Sequence, residues 1–418
     1  MARKYDSLNT KRLDNHSGLK ISHDAGRTLP LEGGQAGPAP PGRSRRAAAL
    51  IVGALVLAAA FVVVAPYLSS FLKQGYSVLS GSTVTGPGTQ TSTTSPPEVT
   101  SLTNSTSTTD CSSVVSVQSL TAPDITNGSA DISYPFDYCT LASYALGLIN
   151  ADRATNGTGP VVLDYNQAAQ QHADSMLYYN YFSHFDTQGY APYMRYSLLG
   201  GRGADFENVA FIYYSFPHFL STGSVEGAIQ SLEQSMVYND SACCANGHRY
   251  NILSPLHNRV SIGVAYDSTH VYFDEEFEND YLNLNLTVTG ANASNPYYVT
   301  LTGEPVQTVA SPDALYVAYD STPSPMSVEQ LETGPHDYGP GTLIGGVLPR
   351  TGFFGDCGQF ETGTTECADR WTFTPSTIDI AFSLGPFIQG KGTGVYTLYL
   401  VAGPSTDSSL TSISIFVT

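Results

Sequence analysis

Gly247-His248-Arg249-Tyr250-Asn251-Ile252-Leu253 is one of three short strings that carry most of the chemistry in this chain. The others are Tyr181-Phe182-Ser183-His184 and Phe206-Glu207-Asn208-Val209-Ala210. Each sets a His or a Glu among residues that hold its backbone. Together they offer two imidazoles and one carboxylate to a single site. Histidine is the usual ligand of zinc or copper, and a carboxylate serves as a further donor or orients the imidazole. The spacing of the strings is no metal motif in itself. On spacing alone, the three residues read more simply as satisfied structural polar groups.

The segments around them alternate between helix and strand. Residues 141–155 place Leu141, Tyr144, Ala145, Leu148 and Ile149 at helical spacing and stop near Asn156-Gly157. Asp164 is expected to cap a second helix running to about Asn180. Ser224 or a neighbour is expected to cap a third, through Leu232 to Tyr238. The apolar runs 260–266 and 271–277, joined by Asp267-Ser268-Thr269, read as a β-hairpin. These elements predict an α/β domain within residues 111–280. From about Tyr281 the period is two, with candidate strands at 282–289, 297–301, 314–319, 377–384, 395–402 and 412–417. Residues 281–418 are therefore expected to form an all-β immunoglobulin-like sandwich. No internal repeat is present.

Residues 47–68 hold no charged side chain across 22 positions. As a helix this run would be ~33 Å long, enough to cross a bilayer. Residues 1–46 carry nine of the 18 Lys and Arg and four acidic residues, and Arg43, Arg45 and Arg46 abut the apolar run. The excess of positive charge predicts a cytoplasmic tail at 1–46 and a single-pass membrane protein with its C-terminal domains outside the cell. The remainder holds nine basic and 32 acidic residues, a balance of −23. That balance argues against nucleic acid, whose phosphates demand cations. Residues 69–110 are rich in Ser, Thr, Gly and Pro, and read as a flexible stalk.

All six cysteines follow the apolar run, as do six Asn-x-Ser/Thr sequons at Asn104, Asn127, Asn156, Asn239, Asn285 and Asn292. Disulfides and a glycoprotein surface are therefore expected outside the membrane. Cys357 and Cys367 flank a polar loop and are expected to pair. Cys243 and Cys244 are adjacent, and separate partners at Cys111 and Cys139 are expected for them. His172 reads as a core histidine, and Asp186 and Asn208 as residues that hold loops. Arg249 is expected to find an acidic partner.

At these residues the sequence resembles the CAP superfamily, also called the SCP or cysteine-rich secretory, antigen 5 and pathogenesis-related-1 domain. The pieces run in family order: Leu148-Ile149-Asn150-Ala151-Asp152-Arg153, then Leu163-Asp164, Ala169 to Met176, and Phe182-Ser183-His184. Arg195, Gly200, Glu207-Asn208-Val209-Ala210, the string 247–253 and Ile262-Gly263-Val264 complete it. With its Cys-Cys pair and C-terminal β-domain, the chain looks most like membrane-anchored archaeal members. The resemblance implies an α-β-α sandwich with a central cleft of two His and two Glu able to bind a divalent metal, zinc first. His184, Glu207 and His248 match three positions. The fourth falls on the third helix, where simple alignment puts Gln234, with Glu233 beside it.

Two function classes follow. One is a surface binding or interaction module for a lipid, glycan or protein ligand. It is motivated by the lack of a Gly-x-Ser-x-Gly string and of a free thiol nucleophile. The other is a metal-dependent hydrolase of peptides or cell-envelope polymer, with Glu207 as general base. A structural cell-envelope role is a third reading.

Overall fold

The computed structural model describes residues 20–25, 138–290, 297–334, 337–352, 355–359, 364–402 and 408–418. The apolar run 47–68, the stalk 69–110, Cys111 and the sequons at Asn104, Asn127 and Asn292 lie outside the described residues. No helix among the described residues is long and apolar enough to cross a membrane.

Strand β1 (Lys20–Ala25) comes first in chain order, followed by α1 (Tyr138–Thr155), β2 (Val162–Leu163), α2 (Ala168–Tyr179) and α3 (Pro192–Leu198). Strand β3 (Ala204–Tyr213), α4 (Thr222–Tyr238), α5 (Ser241–Cys244) and α6 (Gly247–Leu253) come next. The hairpin β4 (Arg259–Tyr266) and β5 (His270–Asn279) closes this part. The five strands form one sheet in the order β1-β3-β5-β4-β2. Helices α2 and α3 cover one face, and α1, α4 and α6 cover the other. Burial alternates to suit. Phe206, Ala210, Phe273 and Phe277 pack with Leu141, Ile149, Ile229 and Leu232, while Val209 and Tyr272 pack with Ala173, Met176 and Tyr181. An α-β-α arrangement results.

Helix α2 starts later than expected. Its N-cap position is Gln167, and Asn166 Oδ1 accepts the Ala168 N–H at 2.9 Å. Asp164 instead accepts from the backbone of Asn166 and from Arg259. Helix α4 is capped by Ser221, with Ser224 returning the bond in a capping box. Gly263 of β4 lets α2 lie against the sheet, since a Cβ there would stand 2.2 Å from the Ala169 carbonyl oxygen.

β1 adds to the outer edge of β3, from Lys20 opposite Tyr213 to Ala25 opposite Asn208. It comes from the basic tail, on the other side of residues 47–68 from the rest of the sheet.

The C-terminal part is β-rich. It comprises β6 (Leu282–Thr289), β7 (Tyr298–Pro305), β8 (Ala314–Asp320), α7 (Val328–Thr333), β9 (Thr342–Leu348) and the small hairpin β10 (Thr351–Gly352) and β11 (Gly355–Asp356). It continues through β12 (Thr365–Cys367), β13 (Arg370–Thr374), β14 (Thr377–Ser383), α8 (Gly385–Lys391), β15 (Gly394–Val401) and β16 (Ile413–Val417). Two sheets, β12-β9-β8-β15-β16 and β13-β14-β7-β6, share one core that includes Leu301, Val317, Ile380, Phe382, Tyr396 and Leu398. Strand β9, which the sequence pattern missed, carries Gly345-Gly346 in place of alternating side chains and pairs in parallel with β12. Buried polar links tie this part to the first, including Ser197 Oγ to the Ser412 carbonyl (3.1 Å) and Asn279 Nδ2 to the Ser409 carbonyl (2.8 Å). Together they form one compact unit.

Cys357 and Cys367 are bonded. Cys243 and Cys244 are bonded to each other, not to separate partners. The reason is availability. Cys139 is itself disulfide-bonded and so is no partner for the two neighbours in α5.

The tight α2–β4 contact yields a first test. Gly263→Ala is expected to destabilise the protein by roughly 1–3 kcal/mol, because the Ala169 carbonyl must move to admit a methyl group. The denaturant midpoint measures it.

Candidate functional site

Alternation along β3 decides which of the predicted residues meet. Glu207 points to the α2–α3 face and Asn208 to the α4–α6 face, so the strings split into two linked halves. In the first half, His184 sits in the loop after α2 and its Nδ1 lies 2.5 Å from Glu207 Oε2. Arg195 of α3 binds Glu207 Oε1 and also donates to the His184 carbonyl at 2.8 Å. His184 and Glu207 are fully buried. Burial alone would raise the Glu207 carboxyl, but Arg195, His172 and His184 together hold it below the usual carboxylate range. Ionised Glu207 accepts the His184 Nδ1–H, so Nε2 carries the ring's lone pair. Burial lowers the pKa of His184 despite Glu207.

In the second half, His248 sits on the first turn of α6 with Nδ1 2.5 Å from Asp240 Oδ1. Asn208 donates to the His248 carbonyl (3.3 Å) and to Glu275 Oε2 (3.1 Å), and accepts from Asn251 Nδ2 (2.9 Å). Arg153, buried in α1, donates to the carbonyls of Gly159, Ile252, Ser254 and His257, which fixes α6 and the turn after it. The halves are close enough that charge on His248 disfavours charge on His184.

Gln234 does not enter this cleft. The buried positions of α4 are Val225, Ala228, Ile229, Leu232, Glu233, Met236 and Val237. One residue turns ~100° around a helix, so Glu233 faces inward and Gln234 lies exposed. Glu233 meets Glu275 of β5, and burial and that neighbour push its carboxyl well above the ordinary value. Its protonated form is favoured there, and it makes no hydrogen bond to either imidazole among the described residues. The carboxylate that orients His248 is Asp240, in the turn after α4, which sequence matching missed.

Other expectations fall as follows. His172 is buried, its Nε2–H bonded to the Ser183 carbonyl at 2.8 Å, and burial drives its pKa down to about 3. Asp186 Oδ1 accepts from the backbone of Gln188 and Tyr190, and so holds its loop. Among the described residues the Arg249 guanidinium has no acidic partner; it donates to the Val237 carbonyl and to Asn156 Oδ1. Tyr181 is core, whereas Tyr178 and Tyr179 are exposed. The most distant contribution comes from the β-rich part. Tyr338 lies over His184 with ring centroids 4.8 Å apart, and its hydroxyl accepts the Glu207 N–H at 2.6 Å.

For a metal ion, the donor set fits a two-imidazole site in which each Nδ1–H is given to a carboxylate. In such an arrangement the carboxylate fixes the tautomer, and the imidazole would ligate through Nε2. His184 and His248 would be the ligands, with Glu207 and Asp240 behind them. Cys243 and Cys244 lie beside Asp240 and His248, but their sulfurs are bonded to each other.

The Glu233–Glu275 pair makes a pH prediction. Glu233 has a folded pKa above its unfolded value, so its stabilisation is complete below about pH 4.3, the ordinary Glu value, and is lost as pH rises through the folded pKa. Glu233→Gln is therefore expected to flatten the fall in melting temperature towards alkaline pH. An unchanged slope would contradict the raised Glu233 carboxyl.

Residues 146–281 match the family model described as CAP, the Cysteine-rich secretory protein family. No curated protein matches the chain significantly. Among solved structures, the chain is similar to the 1.5 Å crystal structure of an extracellular protein containing a SCP domain from Bacillus anthracis str. Ames. The identity is 19%, over 34% of this chain and 41% of that chain, with a TM-score of 0.25. A superposition that limited carries no structural argument. The matched segment holds both imidazoles, Glu207 and Asp240, and it is this segment that is similar to the CAP family.

Proposed function

We propose that the protein is a membrane-anchored, extracellular CAP-domain binding module whose cleft holds a divalent metal, zinc first, on His184 and His248. The observation that carries this reading is the pair of 2.5 Å contacts from the two Nδ1 atoms to Glu207 and Asp240. A bound ion would tie α6 to the loop after α2 and offer a Lewis-acidic point to a ligand's donor atom. Glu207 argues for binding over hydrolysis. It is buried, bonded to both Arg195 and His184, and covered by Tyr338, so it has no freedom to deprotonate a water. The ligand is a lipid, a glycan or a protein. The β-rich part, read as an immunoglobulin-like sandwich, extends that contact surface. Asn156, Asn239 and Asn285 are exposed, which suits glycosylation.

Anchoring through residues 47–68 places the tail and the sheet on opposite sides of the membrane. In the inserted chain the β3 edge then lacks its own β1 and is open to another strand.

Two measurements test the proposal. Zinc content of the full chain is expected to be substoichiometric, absent in His184→Ala and His248→Ala, and weakened by at least about tenfold in Asp240→Asn. A wild type without zinc at neutral pH removes the metal reading, and turnover of peptide, ester or glycan libraries that depends on Glu207 would restore the hydrolase. For orientation, Ser22→Cys in right-side-out vesicles is expected to resist a membrane-impermeant maleimide that labels Ser268→Cys. Labelling of both overturns the anchored topology.

A further inference from the structure

The face of the sheet beneath α2 and α3 carries more carboxyl groups than its protein partners can satisfy. Asp205 and Glu207 on β3 share it with Asp274, Glu276 and Glu278 on β5. Glu207 stands directly across from Glu276, and Asp205 from Glu278. Like charges opposite one another on adjacent strands repel. Two of the five are satisfied within the protein. Arg195 and His184 take Glu207, and Glu278 receives the hydroxyls of Tyr196 and Ser261 at 2.8 Å each. Asp274 and Glu276 are fully buried and Asp205 nearly so, yet among the described residues all six of their carboxyl oxygens lack a hydrogen-bond partner. Burying carboxylates without a partner is among the most expensive arrangements in a protein.

A second kind of side chain borders the same place, with His172 Nε2 4.0 Å from Glu207 Oε1. His172 is buried, and with its Nε2–H on the Ser183 carbonyl, Nδ1 keeps a lone pair and no partner. One ligand atom each from His172, Glu207 and Asp274 can be chosen so that all lie within 4.8 Å of one another. An ion with oxygen ligands at ~2.4 Å spans that separation.

We propose that Asp274 and Glu276, with Glu207 and His172 beside them and Asp205 completing the acidic wall, hold one hard divalent cation, in a site distinct from the His184–His248 pair that borders it through Glu207. Carboxylates with a single imidazole favour manganese over the softer metals, which prefer more nitrogen or sulfur. The ion would replace the missing cations between β3 and β5 and bind α2 to the sheet. Its role is structural, and it sits behind the cleft.

The test uses the detergent-solubilised full chain, stripped with EDTA and titrated with Mn²⁺. Bound manganese is read by electron paramagnetic resonance and melting temperature by circular dichroism. Wild type is expected to bind one ion per chain and to melt higher with it. Asp274→Asn and Glu276→Gln are each expected to weaken binding by at least about tenfold, while His248→Ala binds manganese as wild type does. That last arm separates this site from the cleft. The proposal falls if wild type binds no Mn²⁺, if both carboxyl variants retain its affinity, or if His248→Ala abolishes it. If the carboxyl variants do not fold, wild type decides the matter, and a melting temperature unmoved by Mn²⁺ overturns the site.

Discussion

The bridge from Arg195 through Glu207 to His184 is the contact on which the first part of the structure depends. It joins α3, β3 and the loop after α2 in one buried unit. Glu207 stays ionised in a dry interior because it has cationic and N–H partners on both oxygens. Remove either partner and the other is left with an uncompensated buried charge, the costly half of a broken pair. The His184 tautomer, and so the direction of its Nε2 lone pair, follows from the same bond. Tyr338 adds its ring and hydroxyl from the β-rich part, so the two parts of the chain hold the cleft in common.

The two imidazoles are oriented by different means. His184 relies on a carboxylate within the sheet, whereas His248 relies on Asp240 in a turn and on Asn208 reaching from the opposite face of β3. Arg153 supports the second arrangement by satisfying four carbonyls around α6. A cleft assembled from both faces of one strand explains why the residues come from three separated strings. Period-two alternation sends neighbours such as Glu207 and Asn208 in opposite directions, and each needs its own elements to meet it.

Much of this was legible in the sequence. Apolar periodicity located α1, α4, the β4–β5 hairpin and six strands of the β-rich part, because those segments bury one face against a core. The strings around His184, Glu207 and His248 were readable because a buried imidazole or carboxylate needs local residues to fix its backbone. The acidic run in β5 was also visible, since four acids in an otherwise apolar hairpin strand signal buried charge. It went unused because nothing local says which cations meet it.

What the sequence by itself determined was therefore local: element type, the family strings, the charge asymmetry about residues 47–68, and the cysteines of the Cys357–Cys367 loop. Only the tertiary structure decided the partners. The rotation of α4 sends Glu233 inward and Gln234 outward. The turn after α4, and not the helix, supplies the carboxylate for His248. Cys243 and Cys244 pair with each other because Cys139 is taken elsewhere. Such outcomes depend on distances between residues far apart in the chain, which periodicity and spacing do not encode.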